Sequence, residues 1–399
     1  MARAYPRPRS HPARRADPRS HAGRRGGRDR AAQSAAGVPD RIDDPVRSAA
    51  RAPGFDGICR FRRLRPRGLP DLVGGLPVGT RSRVGLCWLP VVSARRSVVT
   101  TLASTGPIGS WILGARPRTL ALSVTPIAVA LVYAAVTYGR LAAVPVIAAL
   151  ASALFIQITT NLANDSADGG RGADTAERLG PVRLVGAGIM SAAQVRRGAI
   201  VTSLIAAVFG IVAVVYGGAP ILAIGTASLL AAWGYSYGPW PISASRFGEV
   251  FVIMFFGVVA TTGIVWLGAH RFDTTSALLG LAIGLPAAAV LTVNNHRDRA
   301  EDAKSGRQTL AMALGPAGTA YLYVLELGGA AIVAGIALWP INRAAIVLAA
   351  AALGAAFYLG HRLARTPVSR ALNTMLAATV HFQIGLAAGI VAVLLMSVR

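Results

Sequence analysis

Long apolar segments, separated by short polar ones, follow one another along the chain from residue 118 onward. A helix needs about 20 mostly apolar residues to cross the hydrocarbon core of a bilayer. Nine segments meet that requirement, and they lie at 118–138, 141–163, 195–216, 219–237, 249–269, 275–297, 316–338, 343–362 and 376–396. The pattern predicts an all-α integral membrane protein, a bundle of about nine transmembrane helices.

Composition divides the chain near residue 98. Residues 1–98 hold 22 of the 41 basic residues and 7 of the 17 acidic ones, and they are rich in Arg, Pro and Gly without any apolar period. Such a segment buries too little apolar surface to offset the entropy of ordering it. We therefore expect a disordered basic extension at 1–98 and a transmembrane domain at 105–399. The excess of Arg over Lys is typical of GC-rich coding, so we also interpret the extension as an upstream reading frame, with translation starting near Val98 or Val99.

The distribution of basic residues predicts the orientation of the bundle. With the N-terminus inside, thirteen Lys and Arg residues of the membrane domain fall in inner loops and four fall on the outer side, as the positive-inside rule requires. Both cysteines, Cys59 and Cys87, precede this domain, so it has no thiolate to offer a metal. We expect the cell membrane as the location, the lipid bilayer as a partner, and no nucleic acid.

Two cytoplasmic loops contain most of the acidic residues of the membrane domain. The second span is followed by Asn161, Asn164, Asp165, Asp168 and Asp174, and the sixth by Asn294, Asn295, Asp298 and Asp302. Spacings of three and four residues place side chains on one face of a helix if the spans continue into these segments. The sequence thus predicts two oxygen-rich stripes at the same membrane depth, each at the mouth of an apolar bundle.

Oxygen ligands without His or Cys partners suit a hard cation, and Mg²⁺ is usually bound by carboxylates together with waters and a phosphate. Two such clusters can hold ions that bridge one diphosphate. Asp and Asn also cap helix ends and solvate loops, which is the alternative for either cluster alone. Carboxylates this close to hydrocarbon are costly, which favours a functional role for the two together.

At this point the residues resemble a known family. The patterns NxxxDxxD after the second span and NxxxDxxxD after the sixth resemble the paired Asp-rich motifs of the UbiA superfamily of intramembrane prenyltransferases. Further segments resemble its 1,4-dihydroxy-2-naphthoate polyprenyltransferase branch, which serves menaquinone synthesis: ARPRTLALSVTPI at 115–127, RLGPVRLVGAG at 178–188, GPWPISASRFGEVFVIMFFG at 238–257 and NNHRDRAEDAKSGRQTLAMALG at 294–315. The resemblance covers residues 111–399.

The resemblance implies a Mg²⁺-dependent transfer of a polyprenyl chain from polyprenyl diphosphate to 1,4-dihydroxy-2-naphthoate, with loss of carbon dioxide. It implies that the catalytic and metal-binding carboxylates are Asp165, Asp168, Asp298 and Asp302. Asp174 would replace a third Asp of the first motif, whose usual position is Gly172 here. The implied substrate-binding residues are Asn161, Asn164, Arg183, Asn294, Lys304, Arg307, Arg116 and Tyr235, with Arg116 facing the naphthoate carboxylate.

Several alternatives stay open at this stage. The acceptor can be another aromatic compound, such as hydroxybenzoate, homogentisate or a porphyrin. A transporter is a further alternative, although its carboxylates should lie near the membrane midplane. Arg116 is also explained as a positive-inside anchor, and Tyr235, Tyr237 and Trp240 as an interfacial aromatic belt rather than as groups that stabilise an allyl cation. We expect Glu249 to have a structural role at the positive end of the fifth helix.

Overall fold

The computed structural model describes residues 106–139, 142–171 and 178–398, and within them the secondary structure is helical throughout. A short helix α1 is followed by eight helices that are long and apolar enough to cross a membrane. They are α1 Gly106–Ala115, α2 Pro117–Tyr138, α3 Ala143–Gly170, α4 Ala192–Gly234, α5 Gly248–Ala269, α6 Thr274–Lys304, α7 Leu310–Leu338, α8 Ala345–Arg365 and α9 Leu372–Leu395. The predicted extension at 1–98 lies outside the described residues.

The fourth helix accounts for two predicted spans. Helix α4 contains 43 residues, and Gly218 interrupts it with φ 66° and ψ −152°, a conformation that suits glycine. Pro220 follows within the same turn and cannot donate a backbone hydrogen bond. The halves on either side of Gly218 correspond to the predicted spans at 195–216 and 219–237, so the all-α membrane bundle is confirmed.

The outward faces of the bundle are apolar. On α4, large hydrophobic side chains at Ile200, Leu204, Val208, Ile211 and Val215 are all exposed. Their spacing of three and four residues places them on one face of the helix, and an exposed apolar face of this length is matched by lipid rather than by water. The protein is a multi-pass membrane protein.

The core of the bundle lies among α2, α6, α7, α8 and α9, where small and branched side chains interlock. Helices α5 and α6 approach each other most closely around three glycines. A Cβ built on Gly257 would lie 2.4 Å from the carbonyl oxygen of Gly280, and one on Gly284 would lie 2.6 Å from the carbonyl oxygen of Ile253. This backbone-to-backbone contact, typical of membrane helices, fixes the middle of α5 against the first half of α6.

Candidate active site

A cavity of about 1740 Å³ lies inside the bundle and is bordered mainly by α2, α3, α4, α5, α6 and α9. Most of its wall is apolar, with alanine and glycine frequent on α3 and α4 and phenylalanine on α5. Polar and charged side chains are concentrated where α3 and α6 end: Arg116, Asn161, Asn164, Arg178, Arg183, Asn294, Asn295 and Arg307. The cavity therefore combines a long apolar volume with one strongly polar end.

The first predicted cluster is built on the last turns of α3, which continues beyond the predicted span as far as Gly170. Asn161, Asp165 and Asp168 are all buried on this helix. Asn161 donates from Nδ2 to the carbonyl oxygen of Ala115 at 2.9 Å and to Thr119 Oγ1 at 3.1 Å. It thereby ties α3 to the junction between α1 and α2.

Asp165 and Asp168 have different partners although they are one turn apart. Asp165 accepts two backbone hydrogen bonds, from Leu184 N at 2.8 Å and from Val185 N at 3.2 Å. Asp168 instead accepts from Arg183, whose other terminal nitrogen donates to Asn164 Oδ1 at 3.0 Å. The loop after α3 is thus attached to the helix through both carboxylates, and Arg183 is held within the cluster.

The second predicted cluster is built on the last turns of α6, which continues as a helix as far as Lys304. Arg297 is completely buried, and it donates to both carboxylate oxygens of Asp298, each at 2.7 Å. It also donates to Asn294 Oδ1 and to Asn373 Oδ1 at 2.7 Å. Arg178 reaches Asp298 from the loop, with an N–O distance of 3.5 Å. Asp298 is therefore held by two arginines, and Asn373 on α9 holds one of them, Arg297.

Arg307 joins the two clusters. It donates to Asp168 at the end of α3 and lies 3.4 Å from Asp302 at the end of α6. Burial works against the charge of Arg307, but the two carboxylates outweigh it and hold the pKa of Arg307 above its usual value. The two oxygen-rich stripes that the spacing predicted thus lie side by side, with a guanidinium between them.

The arginine side chains, rather than the carboxylates, form the polar wall of the cavity. Among the described residues, the lining includes Arg116, Arg178, Arg183 and Arg307 but none of the four aspartates. Burial and the neighbouring Arg183 guanidinium lower the pKa of Arg116 to about 10, so Arg116 is a cation near neutral pH. The cavity consequently presents positive charge that the carboxylates hold in position from behind.

The structure separates the three aromatic candidates. Tyr235 lines the cavity, and its ring centroid is 5.7 Å from that of Phe251. Tyr237 packs against Trp233 at 5.4 Å, away from the lining, while Trp240 is 88% exposed. Of the three, Tyr235 is the one that can act on a molecule inside the cavity.

Of the predicted substrate-binding residues, one is not brought to the cavity, and one predicted metal-binding residue lies outside the part of the chain that the structure describes. Lys304 is the exposed last residue of α6 and is not part of the cavity wall. Asp174 falls in the segment 172–177, which lies outside the described residues. The remaining predicted substrate-binding residues converge: Asn161, Asn164, Arg183, Asn294, Arg307, Arg116 and Tyr235 line the cavity.

Sequence reasoning missed several members of the site. Arg297 could be recognised only by its place in the second motif, and nothing in the sequence marked Asn373 on α9 as a member of the site. Glu249 is in the first turn of α5, as predicted, but it is also buried and accepts a hydrogen bond from Asn295 Nδ2 at 2.9 Å. That contact joins residues 46 positions apart, so the chain pattern could not reveal it.

The donor set is compatible with Mg²⁺. Four carboxylates and several amide oxygens lie at adjoining helix ends, and Mg²⁺ takes oxygen ligands of this kind. The described residues contain no group of three or more acidic, His or Cys side chains close enough to hold a metal ion by themselves. Mg²⁺ is usually bound through one or two carboxylates and completed by waters and substrate phosphates.

The fold and this cavity define an intramembrane protein with a polar, anion-attracting site at one end of an apolar chamber. Residues 123–381 match the model of the UbiA prenyltransferase family. The chain belongs to the UbiA prenyltransferase family.

Relatives and solved structures agree with this assignment. The chain is 37% identical over 218 residues to 1,4-dihydroxy-2-naphthoate octaprenyltransferase of Mycobacterium tuberculosis, covering 53% of this chain and 72% of that protein. It is 32% identical over 212 residues to the Escherichia coli protein of the same name, covering 52% and 68%. The fold is similar to that of a UbiA homolog from Archaeoglobus fulgidus bound to DMAPP and Mg²⁺, with a TM-score of 0.52, 12% identity and coverage of 70% and 99%.

Proposed function

We propose that this protein transfers a polyprenyl chain from polyprenyl diphosphate to 1,4-dihydroxy-2-naphthoate, releasing diphosphate and carbon dioxide. The observation that carries the proposal is the pair of Asn/Asp clusters, joined by Arg307, at the polar end of a large apolar cavity. The names of the relatives from M. tuberculosis and E. coli support the choice of acceptor. The apolar wall suits the polyprenyl chain, and the polar end suits its diphosphate.

The diphosphate would lie against the guanidinium groups of Arg183 and Arg307. Both line the cavity, and both donate to Asp168. Guanidinium groups bind phosphate oxygens through two parallel hydrogen bonds. Arg178 adds a further cation on the side of Asp298. We expect Lys304 and Asp174 to act at the rim of this site, where the loops after α6 and α3 leave the membrane.

Mg²⁺, when bound with the diphosphate, supplies a Lewis acid that neutralises charge on the leaving group. The residues that would hold it are Asp165, Asp168, Asp298 and Asp302, with Asn161, Asn164 and Asn294 beside them. The prenyl carbon–oxygen bond breaks and its electron pair goes to the diphosphate. The ring carbon that bears the carboxylate forms the new bond, and carbon dioxide leaves with its bonding electrons returned to the ring.

Aromatic side chains and Arg116, all on the cavity wall, would complete the active site. Tyr235, Phe251 and Phe255 form a continuous aromatic strip. The ring centroid of Phe251 is 5.7 Å from that of Tyr235 and 4.5 Å from that of Phe255. Aromatic faces stabilise a nearby cation, here the allylic fragment. Arg116 has a left-handed backbone (φ 53°) that Asn161 supports through the flanking Ala115 and Thr119. We assign it to the acceptor carboxylate.

The reaction would take place at the cytoplasmic face of the cell membrane. The polar end of the cavity lies at the ends of α3 and α6, on the side where the thirteen inner basic residues are found. The positive-inside rule assigns that side to the cytoplasm, where the water-soluble acceptor and the released diphosphate are accessible.

Purified protein in membranes, incubated with labelled polyprenyl diphosphate and a panel of aromatic acids, tests the proposal through the mass of the product. We expect prenylated, decarboxylated naphthoquinol from 1,4-dihydroxy-2-naphthoate, and none from hydroxybenzoate or homogentisate. Chelation of divalent cations should abolish turnover and added Mg²⁺ should restore it. A product from hydroxybenzoate alone, or full turnover in excess chelator, would contradict the proposal.

A further inference from the structure

The start of α5 contains a buried carboxyl group that the reaction described above does not use. Glu249 is 3% exposed, and its Oε1 accepts the hydrogen bond from Asn295 Nδ2 at 2.9 Å. Its Oε2 is buried without a hydrogen-bond partner in the described part of the chain. Burying a carboxyl group is costly, and an apolar side chain would fill the space without that cost. The contact with Asn295 is therefore the feature that needs an explanation.

The contact fixes which end of the Asn295 amide faces the cavity. An asparagine amide has an oxygen that accepts and a nitrogen that donates. The carboxyl oxygen of Glu249 accepts, so it holds the Nδ2 end of the amide on the side of Glu249, with Oδ1 at the opposite end. Asn295 is 8% exposed and lines the cavity, and the atom that it can offer there is Oδ1. Glu249 thus makes Asn295 a hydrogen-bond acceptor toward the cavity.

The neighbouring residue has the opposite polarity. Asn294 also lines the cavity, and its Oδ1 accepts from the buried Arg297 at 2.7 Å. Arg297 therefore holds the Oδ1 end of Asn294 on its own side, and the amide nitrogen is at the opposite end. A donor and an acceptor stand next to each other on α6, and each is oriented by a buried ionisable side chain that is not part of the cavity wall.

The position suits a molecule that reacts next to the diphosphate. Asn295 precedes Asp298 by three residues, which is about 4.5 Å along the helix axis toward the interior of the membrane. Tyr235 and Phe251 line the same cavity. A ring that attacks the first carbon of the prenyl chain must lie about as close to the diphosphate site as Asn295 lies to Asp298. A hydroxyl group on that ring needs an acceptor, which Asn295 Oδ1 provides.

We propose that Asn295 binds a ring hydroxyl of the aromatic acceptor and that Glu249 is the positioning residue that keeps the Asn295 oxygen directed at it. The inference rests on the proposed function, because it assumes a hydroxylated aromatic acceptor. A site built to bind a hydroxyl group discriminates against an analogue that lacks the donor, since the oxygen is then left unpaired. The pair would make the cavity select phenols over their ethers.

Equilibrium binding of acceptors in the absence of prenyl diphosphate tests this without involving the chemistry. The probes are 1,4-dihydroxy-2-naphthoate and its two monomethyl ethers, titrated anaerobically against the full chain in detergent. For the wild type we expect one of the two ethers to bind about tenfold more weakly than the diol, the loss expected of one unmade hydrogen bond in a buried site. Equal affinity for the diol and both ethers would overturn the inference before any variant is made.

Two variants and a matched control then test which residues cause the difference in affinity between the diol and its ether. Asn295→Leu should bind the diol and the more weakly bound ether equally. Glu249→Gln should reduce the ratio of their affinities from about tenfold to about threefold, because the glutamine amide can satisfy either orientation of Asn295. The control is Glu326→Gln. Glu326 is also 3% exposed with one unpartnered oxygen in the described structure, but it accepts from Thr292 at 3.0 Å, and Thr292 does not line the cavity. Glu326→Gln should keep the wild-type ratio of affinities for the diol and the ether.

The outcomes are separable from those of the proposed function. If Asn295→Leu keeps the wild-type ratio, or Glu249→Gln behaves as Glu326→Gln does, the inference is wrong even when the naphthoate is prenylated normally. If no variant folds, the wild-type ratio still decides. If the naphthoate is neither bound nor prenylated, the proposed function itself fails.

Discussion

Each carboxylate of the site is held by hydrogen-bond donors of the chain itself. Asp168 receives two guanidinium groups, Asp298 receives two, and Asp165 receives two backbone amides. Removing one partner of a buried ion pair commonly costs about 3–5 kcal/mol, because the other charge is left uncompensated. The charges therefore depend on one another, and a substitution must be chosen so that it changes charge without changing shape.

Asp168→Asn and Asp298→Asn meet that condition, and we expect each to insert and fold while losing at least about a hundredfold in turnover. The side chain keeps its shape but no longer contributes the negative charge that a Mg²⁺–diphosphate site needs. The measurement is the single-turnover rate at saturating substrate, with thermal stability in detergent as the test of folding.

The matched control is Asp273→Asn. Asp273 caps the start of α6 through Ser276 N at 2.7 Å and accepts from Tyr133 and Tyr138. It is about 38 Å from Asp298 along the helix axis, and Asn is an equally good cap. We expect nearly wild-type turnover. If Asp273→Asn slowed the reaction as much as Asp298→Asn does, the loss at Asp298 would reflect folding rather than its role in the site.

Gly180 offers a test of how firmly Asp298 must be held. A Cβ on Gly180 would lie 2.6 Å from a terminal nitrogen of Arg297, which is fixed by its bonds to Asp298 and Asn373. We expect Gly180→Ala to displace Arg297 and to lower kcat/KM for prenyl diphosphate by about tenfold, the equivalent of one strong hydrogen bond. The control is Gly170→Ala at the end of α3, where the added Cβ meets nothing within 4 Å. Equal effects of the two would show that displacing Arg297 from Asp298 is not what lowers kcat/KM.

At the scale of elements, the contact between α5 and α6 determines where Glu249 meets Asn295. The approach depends on Gly257, Gly280 and Gly284, because every Cβ added there would meet backbone atoms within 3 Å. Backbone cannot move aside as a side chain can, so even one methyl group separates the two helices.

We expect Gly284→Ala to destabilise the bundle by about 1–3 kcal/mol, the usual range for overpacking, and to lower the melting temperature in detergent. Gly385→Ala on α9 is the control, since its Cβ meets nothing within 4 Å and alanine favours helix formation. Its melting temperature should equal or exceed that of the wild type. A Gly284→Ala protein as stable as Gly385→Ala would show that the close approach of α5 and α6 is dispensable.

At the scale of the whole molecule, the site lies at one side of the membrane, because all its carboxylates are at the same end of the bundle. Asp168 and Asp302 belong to the last turns of α3 and α6, whereas Asp273 marks the opposite end of α6. The side of the membrane on which this end lies decides which compartment supplies the acceptor.

Cysteine labelling of whole cells measures that orientation. Both native cysteines, Cys59 and Cys87, precede the membrane domain, so they can be replaced by serine before Ser305→Cys or Phe272→Cys is introduced. Both positions are exposed, after and before α6 respectively. We expect an impermeant maleimide to label residue 272 in intact cells and residue 305 only after permeabilisation. The reverse pattern would place the site outside.

The sequence alone determined the class of the protein. Apolar length predicts membrane helices because the bilayer imposes one thickness on every span, and each of the nine predicted spans matches one helix or one half of α4. The site stripes were also predictable, since residues such as Asn161 and Asp165, or Asp298 and Asp302, lie on one helix, where spacing fixes their relative direction. Charge counts predicted the orientation for a similar reason: they depend on which loop a residue is in and on nothing else.

Only the tertiary structure decided the partners. The bonds of Arg307 with Asp168, of Arg297 with Asn373 and of Glu249 with Asn295 join residues 139, 76 and 46 positions apart. No local period encodes such contacts, because they follow from how whole helices pack and where backbones approach at glycine. For the same reason the sequence predicted carboxylates at the mouth of the bundle, whereas the packing places arginines on the cavity wall and the carboxylates behind them.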